Sequence, residues 1–232
     1  MQMRSRQYYM ERVVIFRNRH PLIGPIFWLL SVQYFITQLV AAAGWKAPFS
    51  LMRNAISDLG NTVCAPFHDR IVCSPLHNLM NASFIVLGAT MVVGSFFITG
   101  EFRKNVWSRI GFYGMALAGV GTVMVGIFPE NNPNHLHAVG AFLPFFIGNL
   151  SLVVFSYSLQ LPPVFRYYTR VSGVVSLLAF GLFTLNHYVG LGLGGMERLV
   201  AYPQTIWLIA FGWYISLNHY RQVQNGSQTK YT

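Results

Sequence analysis

Five of the chain's seven histidines fall in or beside the loops at one end of a series of long apolar runs. An imidazole ring can transfer protons near neutral pH, bind a metal ion or hydrogen-bond to a polar ligand. One end of the molecule therefore collects most of the side chains that are able to do chemistry. These histidines are His68, His77, His135, His137 and His187.

The same loops hold four of the six acidic residues and a group of asparagines. We take as candidate catalytic residues Asp58, His77, His137 and His187. The candidate substrate-binding residues are Asn78, Asn81, Glu130, Glu197 and Arg198. A structural interpretation competes with this one, because Asp is favoured in turns and the adjacent Glu197 and Arg198 could form a solvated ion pair.

The spacing of these residues indicates which of them could share a site. His77 and Asn81 are four residues apart and would lie on one face of a helix. His187 is predicted about one turn inside an apolar run, where a polar side chain normally faces the interior of a bundle. His137 lies near the start of another run, with Asn134 as its predicted N-cap. Because a helix start attracts anions, a phosphorylated or carboxylated lipid headgroup could lie among the three histidines.

The only two cysteines, Cys64 and Cys73, fall in one long loop, 44–74. On an oxidising face of a membrane they predict a disulfide. In the chain-entropy model so short a ring stabilises the loop by about 2.7 kcal/mol. A metal or redox role is disfavoured, because their separation is not a Cys-x-x-Cys spacing.

The elements that must position these residues are six apolar runs. Only 9% of the residues are charged, against about 25% in typical soluble proteins. Each run is close to the roughly 20 residues needed to cross a bilayer, and none has Asp, Glu, Lys or Arg in its middle. That absence disfavours a proton pump, an ion channel or a voltage sensor. The runs are 21–43, 75–99, 110–128, 136–160, 171–192 and 203–219.

The charges of the connecting segments predict the orientation of these runs. The N-terminus, two alternate connections and the tail contain five, three, two and two Lys or Arg, hence 12 of the 16 in the chain. By the positive-inside rule this side is cytoplasmic, so the net charge of +10 requires no nucleic acid. We therefore predict an all-α protein, multi-pass in the cell membrane, with six transmembrane helices, cytoplasmic N- and C-termini and a long disulfide-closed first outer loop.

The same reading divides the chain into three parts. Residues 1–20 form a basic cytoplasmic segment. Its arginines are expected to lie on anionic lipid headgroups; they are Arg4, Arg6, Arg12, Arg17 and Arg19. Residues 21–219 form the transmembrane domain, and 220–232 form a cytoplasmic tail. The expected partners of the protein are membrane lipids.

Three stretches resemble a prokaryotic membrane family, domain of unknown function 998. They are 57–61 running into 73–84; 126–130 followed by 137–141; and 194–203 leading to Trp207. More distantly, Ile56-Ser57-Asp58 and His137-Ala-Val-Gly140-Ala141 are similar to motifs of the six-helix superfamily of FRAG/DRAM/Sfk proteins and the GPI-anchor lipid remodelling factor. The resemblance implies six helices, cytoplasmic termini and a setting in membrane-lipid handling, without supplying a reaction.

Three hypotheses follow for the function. The first is a lipid-handling protein that binds a headgroup at the extracytoplasmic mouth of the bundle. The second is a metal-dependent intramembrane lipid hydrolase, in which His77, His137 and His187 hold Zn²⁺ and Asp58 acts as the general base. The third is a structural or signalling membrane subunit. Whether the chain is an enzyme stays open at this point.

Overall fold

The computed structural model describes residues 19–46, 49–68, 70–98 and 100–228, and these are mostly helical. The predicted basic segment lies outside the described residues except for its last two positions, and so does Asp69. The α-helices are α1 (Ile23–Leu29), α2 (Val32–Ala43), α3 (His77–Phe97), α4 (Val106–Ile127), α5 (Leu136–Phe142), α6 (Asn149–Ser158), α7 (Pro163–Thr184) and α8 (Gly192–Gln228).

Four helical stretches among the described residues are long and apolar enough to cross a membrane. They are Ile23–Ala43, His77–Phe97, Val106–Ile127 and Leu136–Ser158. The last of them joins α5 and α6 through a π-helical turn, Leu143–Gly148, which contains Pro144. These four stretches coincide with the first four predicted runs to within a few residues, and they identify the chain as a membrane protein.

The last two predicted runs differ from the helices in their bounds. The helix α7 begins eight residues before the predicted run 171–192 and ends eight residues before its end. Beyond α7, Asn186 and Val189 have positive φ angles of 56° and 48°, which a right-handed helix cannot accommodate. The helix α8 continues well beyond 203–219 on both sides, and Pro203 lies inside it.

Aromatic side chains fill the centre of the helix bundle. Trp28 of α1 is fully buried and stacks against Phe112 of α4 at 6.1 Å between ring centroids. Trp207 and Phe211 of α8 and Phe155 of α6 pack in the same cluster. Because aromatic pairs add attraction beyond the area that they bury, this cluster holds four helices in one body.

Small residues let α3 and α4 approach closely. A Cβ atom added to Gly88 would collide with the carbonyl oxygen of Gly119, and one added to Gly126 would lie 2.5 Å from the carbonyl oxygen of Asn81. Backbone contact of this kind is typical of helix packing in membranes. It fixes the position of α3 relative to the loop that follows α4.

The loop between α2 and α3 has its own structure. A 3₁₀ helix spans Ser57–Gly60, and a two-stranded antiparallel hairpin follows, with β1 at Ala65–Phe67 and β2 at Arg70–Val72. The disulfide Cys64–Cys73 closes the hairpin, which confirms the prediction. We call the end of the bundle that carries this loop the disulfide end, and the end at which α4 and α7 begin the opposite end.

Candidate functional site

Asp58 forms the centre of a buried polar cluster at the disulfide end. It is fully buried and accepts two hydrogen bonds from Arg70, from Nε at 2.7 Å and from Nη2 at 2.6 Å. The side chain of Asn54 and the backbone N–H of Ala55 donate to its Oδ2 as well. A carboxylate in a bidentate pair with arginine is strongly held, so Asp58 anchors the hairpin rather than presenting a free base.

Two residues of α8 clamp the same loop. Both Glu197 and Arg198 are 7% exposed. The guanidinium of Arg198 donates from Nη1 to the carbonyl oxygens of Leu51 and Asn54, at 2.8 and 2.7 Å. The carboxyl group of Glu197 accepts the backbone N–H of Ile56. The interpretation of these residues as a solvated ion pair is therefore wrong, because both side chains are buried against the loop.

Glu130 connects the loop after α4 to this cluster. The side-chain amide of Asn61 donates to its Oε1 at 2.8 Å, and the next residues, Thr62 and Asn131, exchange two hydrogen bonds. Burial, followed by the negative charge of Asp58, raises the pKa of Glu130 to about 8, although the hydrogen bond from Asn61 opposes the shift. Glu130 can therefore bind and release a proton near neutral pH.

A small cavity of about 50 Å³ lies directly beneath the clamped loop. Ser57, His137 and Glu197 are among its polar lining residues. The wall is built from the clamped loop, from helices α2, α3, α4, α5 and α8, and from the π-helical turn Leu143–Gly148. A volume of this size holds a few water molecules or one small polar group. The remaining lining residues are Tyr34, Ile56, Phe84, Leu87, Met91, Thr122, Val125, Ala141, Pro144, Phe145, Ala201, Gln204 and Thr205.

The orientation of His137 is fixed by the loop before it. Its Nδ1 donates to the carbonyl oxygen of Phe128 at 2.9 Å, so the hydrogen is on Nδ1 in the neutral ring. Asn134 accepts the backbone N–H of Leu136, although His135 occupies the cap position itself. Asn134 therefore lies one residue before the N-cap position that was predicted for it. Its hydrogen bond to Leu136 still positions the start of α5.

The other predicted residues do not line the cavity. His77 bonds through Nδ1 to the carbonyl oxygen of Ser74 at 2.8 Å, and Asn78 is exposed. Asn81 donates to the carbonyl oxygen of Gly60 at 2.9 Å and so supports the 3₁₀ helix. His187 lies beyond the end of α7 and is exposed. The expectation that His187 faces the bundle interior is wrong, because the helix that would have carried it ends at Thr184.

The three candidate histidines do not come together as a metal site. Within residues 19–46, 49–68, 70–98 and 100–228, no three His, Cys, Asp or Glu side chains are close enough to hold a metal ion. Of the three, only His137 lines the cavity. The residues that are present therefore do not fit the Zn²⁺ of the hydrolase hypothesis, and we derive no step through a metal.

Sequence reasoning missed several residues of the site. Arg70, the partner of Asp58, was not among the candidate residues. Tyr34 and Gln204 lie in apolar runs, and Tyr202 donates to Gln38 at 2.8 Å across the bundle. These residues could have been identified as polar side chains within apolar runs, since such groups tend to face the protein interior.

One comparison with known proteins places the chain in a family. A family model described as "Protein of unknown function (DUF998)" matches residues 28–214. This range contains the buried polar cluster, the disulfide and every residue that lines the cavity. No curated protein and no solved structure matches the chain.

Proposed function

The chain belongs to the DUF998 family, and we propose that it binds the headgroup of a membrane lipid in the cavity at the disulfide end. The observation that carries the proposal is the composition of the cavity wall. Phe84, Leu87 and other apolar side chains form most of the wall, and its polar groups belong to Tyr34, Ser57, Thr122, His137, Glu197, Gln204 and Thr205. Ligand sites in proteins have this character, mostly apolar with a few placed polar groups.

The size of the cavity limits what can enter it. A volume of about 50 Å³ admits the tip of a headgroup and not a whole lipid. The hydrocarbon chains would lie against the apolar surfaces of the surrounding helices, in contact with the bilayer. A membrane protein with a mostly apolar cavity that carries a few polar groups near the end of its bundle is suited to such an amphiphile.

The charge of the cavity wall favours a particular headgroup chemistry. The lining contains one carboxyl group, Glu197, and no Lys or Arg among the described residues. Arg70 and Arg198, the nearby cations, are bound to Asp58 and to loop carbonyl groups. A headgroup with an amine or hydroxyl group could donate to the carboxyl group of Glu197, whereas a phosphate would find no Lys or Arg among the described lining residues to balance its charge. We therefore replace the anionic headgroup of the sequence-based expectation with a hydrogen-bond donor.

The proposal includes an orientation in the membrane. We propose six transmembrane helices, with α7 and α8 as the fifth and sixth, in a multi-pass protein of the cell membrane. The outward-facing apolar side chains of α7, such as Leu178 at 66% exposure, support this assignment. The basic connections lie at the opposite end, which the positive-inside rule makes cytoplasmic, so the cavity would face the extracytoplasmic side.

Native mass spectrometry of the gently solubilised protein tests the proposal, because it detects retained lipids directly. We compare the wild type with Glu197→Gln and His137→Ala, which change the polar wall. The control is His187→Ala, which removes the same side chain as His137→Ala from an exposed position outside the cavity. We expect a retained lipid in the wild type and the control, and a loss of about tenfold in the other two, equivalent to about one charge-assisted hydrogen bond.

Two results would contradict the proposal. Equal retention by all four proteins would show that the lipid is bound elsewhere. Absence of any lipid adduct from the wild type in several mild detergents would favour the structural or signalling role. A melting temperature measured for each variant separates loss of the ligand from loss of the fold.

A further inference from the structure

We propose that the opposite end of the bundle contains a second site, which binds the phosphate group of an anionic lipid. The site is a cleft of about 400 Å³ between the start of α4, the end of α6 and the start of α7. It shares no residue with the cavity of the proposed function, and it does not depend on that function.

The cleft is positively charged. Lys104, Arg166 and Arg170 line it, together with polar groups that include Asn105 and Ser158. Among the described residues its lining contains no Asp or Glu. Three cations that line one concave surface create a local field that attracts an anion.

Two polar atoms in this cleft are buried without a hydrogen-bond partner. They are Nε of Arg170 and Oγ of Ser158. Buried polar groups in folded proteins normally have a partner, either protein or a bound molecule. A guanidinium N–H and a hydroxyl group can both donate, so each of these side chains keeps a donor that the protein leaves unused and that an acceptor such as a phosphate oxygen could take.

The surrounding contacts hold these donors in place. The guanidinium of Arg170 lies over the ring of Tyr157, with its carbon 4.3 Å from the ring centroid. Asn105 donates to the carbonyl oxygen of Ser158 at 2.8 Å and accepts the backbone N–H of Ser108, which caps α4. Arg166 donates to the carbonyl oxygen of Leu161 at 3.0 Å. The site is therefore built before a ligand arrives.

A neighbouring groove favours a lipid over free phosphate. This groove, of about 310 Å³, shares Asn105, Tyr157 and Ser158 with the cleft and continues along Trp107, Val153 and Val154. Trp107 and Tyr157 are 62% and 71% exposed, as expected for aromatic side chains at a membrane interface. A phosphate in the cleft would place an attached acyl chain along the groove, a contact that inorganic phosphate cannot make.

Binding of phosphatidylglycerol to the full-length protein in detergent tests this site. Native mass spectrometry measures retained lipid, with phosphatidylcholine as the zwitterionic comparison. We expect Arg166→Gln and Arg170→Gln each to lower retention of phosphatidylglycerol about tenfold. The control, Arg53→Gln, removes one exposed charge at the disulfide end and should leave retention unchanged. Because Arg166 is exposed, its variant tests the proposal even if Arg170→Gln fails to fold.

A groove variant and a competitor distinguish the two sources of phosphate. Trp107→Ala should lower retention of phosphatidylglycerol, and millimolar inorganic phosphate should not displace the lipid. Displacement by phosphate together with an unaffected Trp107→Ala would overturn the lipid assignment. Equal retention of the two lipids by the wild type, or an equal loss in Arg53→Gln, would overturn the site itself.

Discussion

Glu130 links the protonation of one side chain to the stability of the protein. Its pKa is raised from an ordinary value of 4.5 to about 8, so the folded state binds this proton more tightly than the unfolded chain does. The stabilisation is fully present below pH 4.5 and is lost as the pH rises through 8. Burial is the main cause of the shift, and the charge of Asp58 adds to it.

We predict that Glu130→Gln flattens this pH dependence. Between pH 5 and 8 the wild type should lose about 1 kcal/mol more of its unfolding free energy than the variant, a figure kept small because Glu130 is partly exposed. Thermal unfolding in detergent at a series of pH values measures the difference. Parallel curves for the two proteins would show that Glu130 titrates alike in the folded and unfolded states.

The sequence could predict which end of the bundle carries the candidate residues, but not which of them contact one another. The one-sided distribution of His, Asp and Glu correctly indicated the end that carries the buried polar cluster. It could not indicate partners, because Asp58 meets Arg70 only after the hairpin reverses the chain, and Ile56 meets Glu197 across 141 residues. The type of a residue determines which chemistry its side chain can perform, whereas tertiary packing determines which of the candidate side chains faces the cavity.

The disulfide hairpin connects one covalent bond to the buried ion pair. Cys64 and Cys73 flank the strands β1 and β2, and Arg70 of β2 reaches Asp58 on the 3₁₀ helix. The ring thus limits the positions that the Arg70 guanidinium can occupy. In the unfolded chain the same ring reduces conformational freedom.

We predict that replacing both cysteines with serine lowers the unfolding free energy by about 2–3 kcal/mol, which corresponds to a fall of roughly 5–10 °C in melting temperature. Thermal unfolding with and without a reductant measures the effect. The reductant should destabilise the wild type and leave the double variant unchanged. An equal effect of the reductant on both proteins would place its target outside the disulfide.

The helices were predicted well where hydropathy and helix bounds coincide. The run 136–160 corresponds to Leu136–Ser158, and 75–99 corresponds to His77–Phe97. The predicted bounds of the fifth run differ from those of α7 because this helix starts within a basic segment that contains Arg166 and Arg170. Hydropathy identifies the apolar part of a helix that suits a lipid environment. It does not detect the polar helical turns that extend the helix beyond this part. The apolar residues of the segment 185–191 likewise concealed the non-helical connection between α7 and α8.

At the scale of the whole molecule, the two ends of the bundle differ in electrostatic character. Buried carboxyl groups and the disulfide lie at one end, and the cationic cleft lies at the other. Two independent arguments give the same orientation. A disulfide persists on an oxidising face, and basic connections stay in the cytoplasm. The disulfide end should therefore be extracytoplasmic.

Labelling of single introduced cysteines in intact cells tests this orientation. We choose Pro133→Cys, in the loop after α4, and Gln160→Cys, between α6 and α7, because both positions are exposed. The native cysteines are held in their disulfide and do not react. A membrane-impermeant maleimide should modify residue 133 and spare residue 160, and permeabilised cells should label both. The reverse pattern would place the disulfide in a reducing compartment, so it would contradict the orientation and the oxidised pair together.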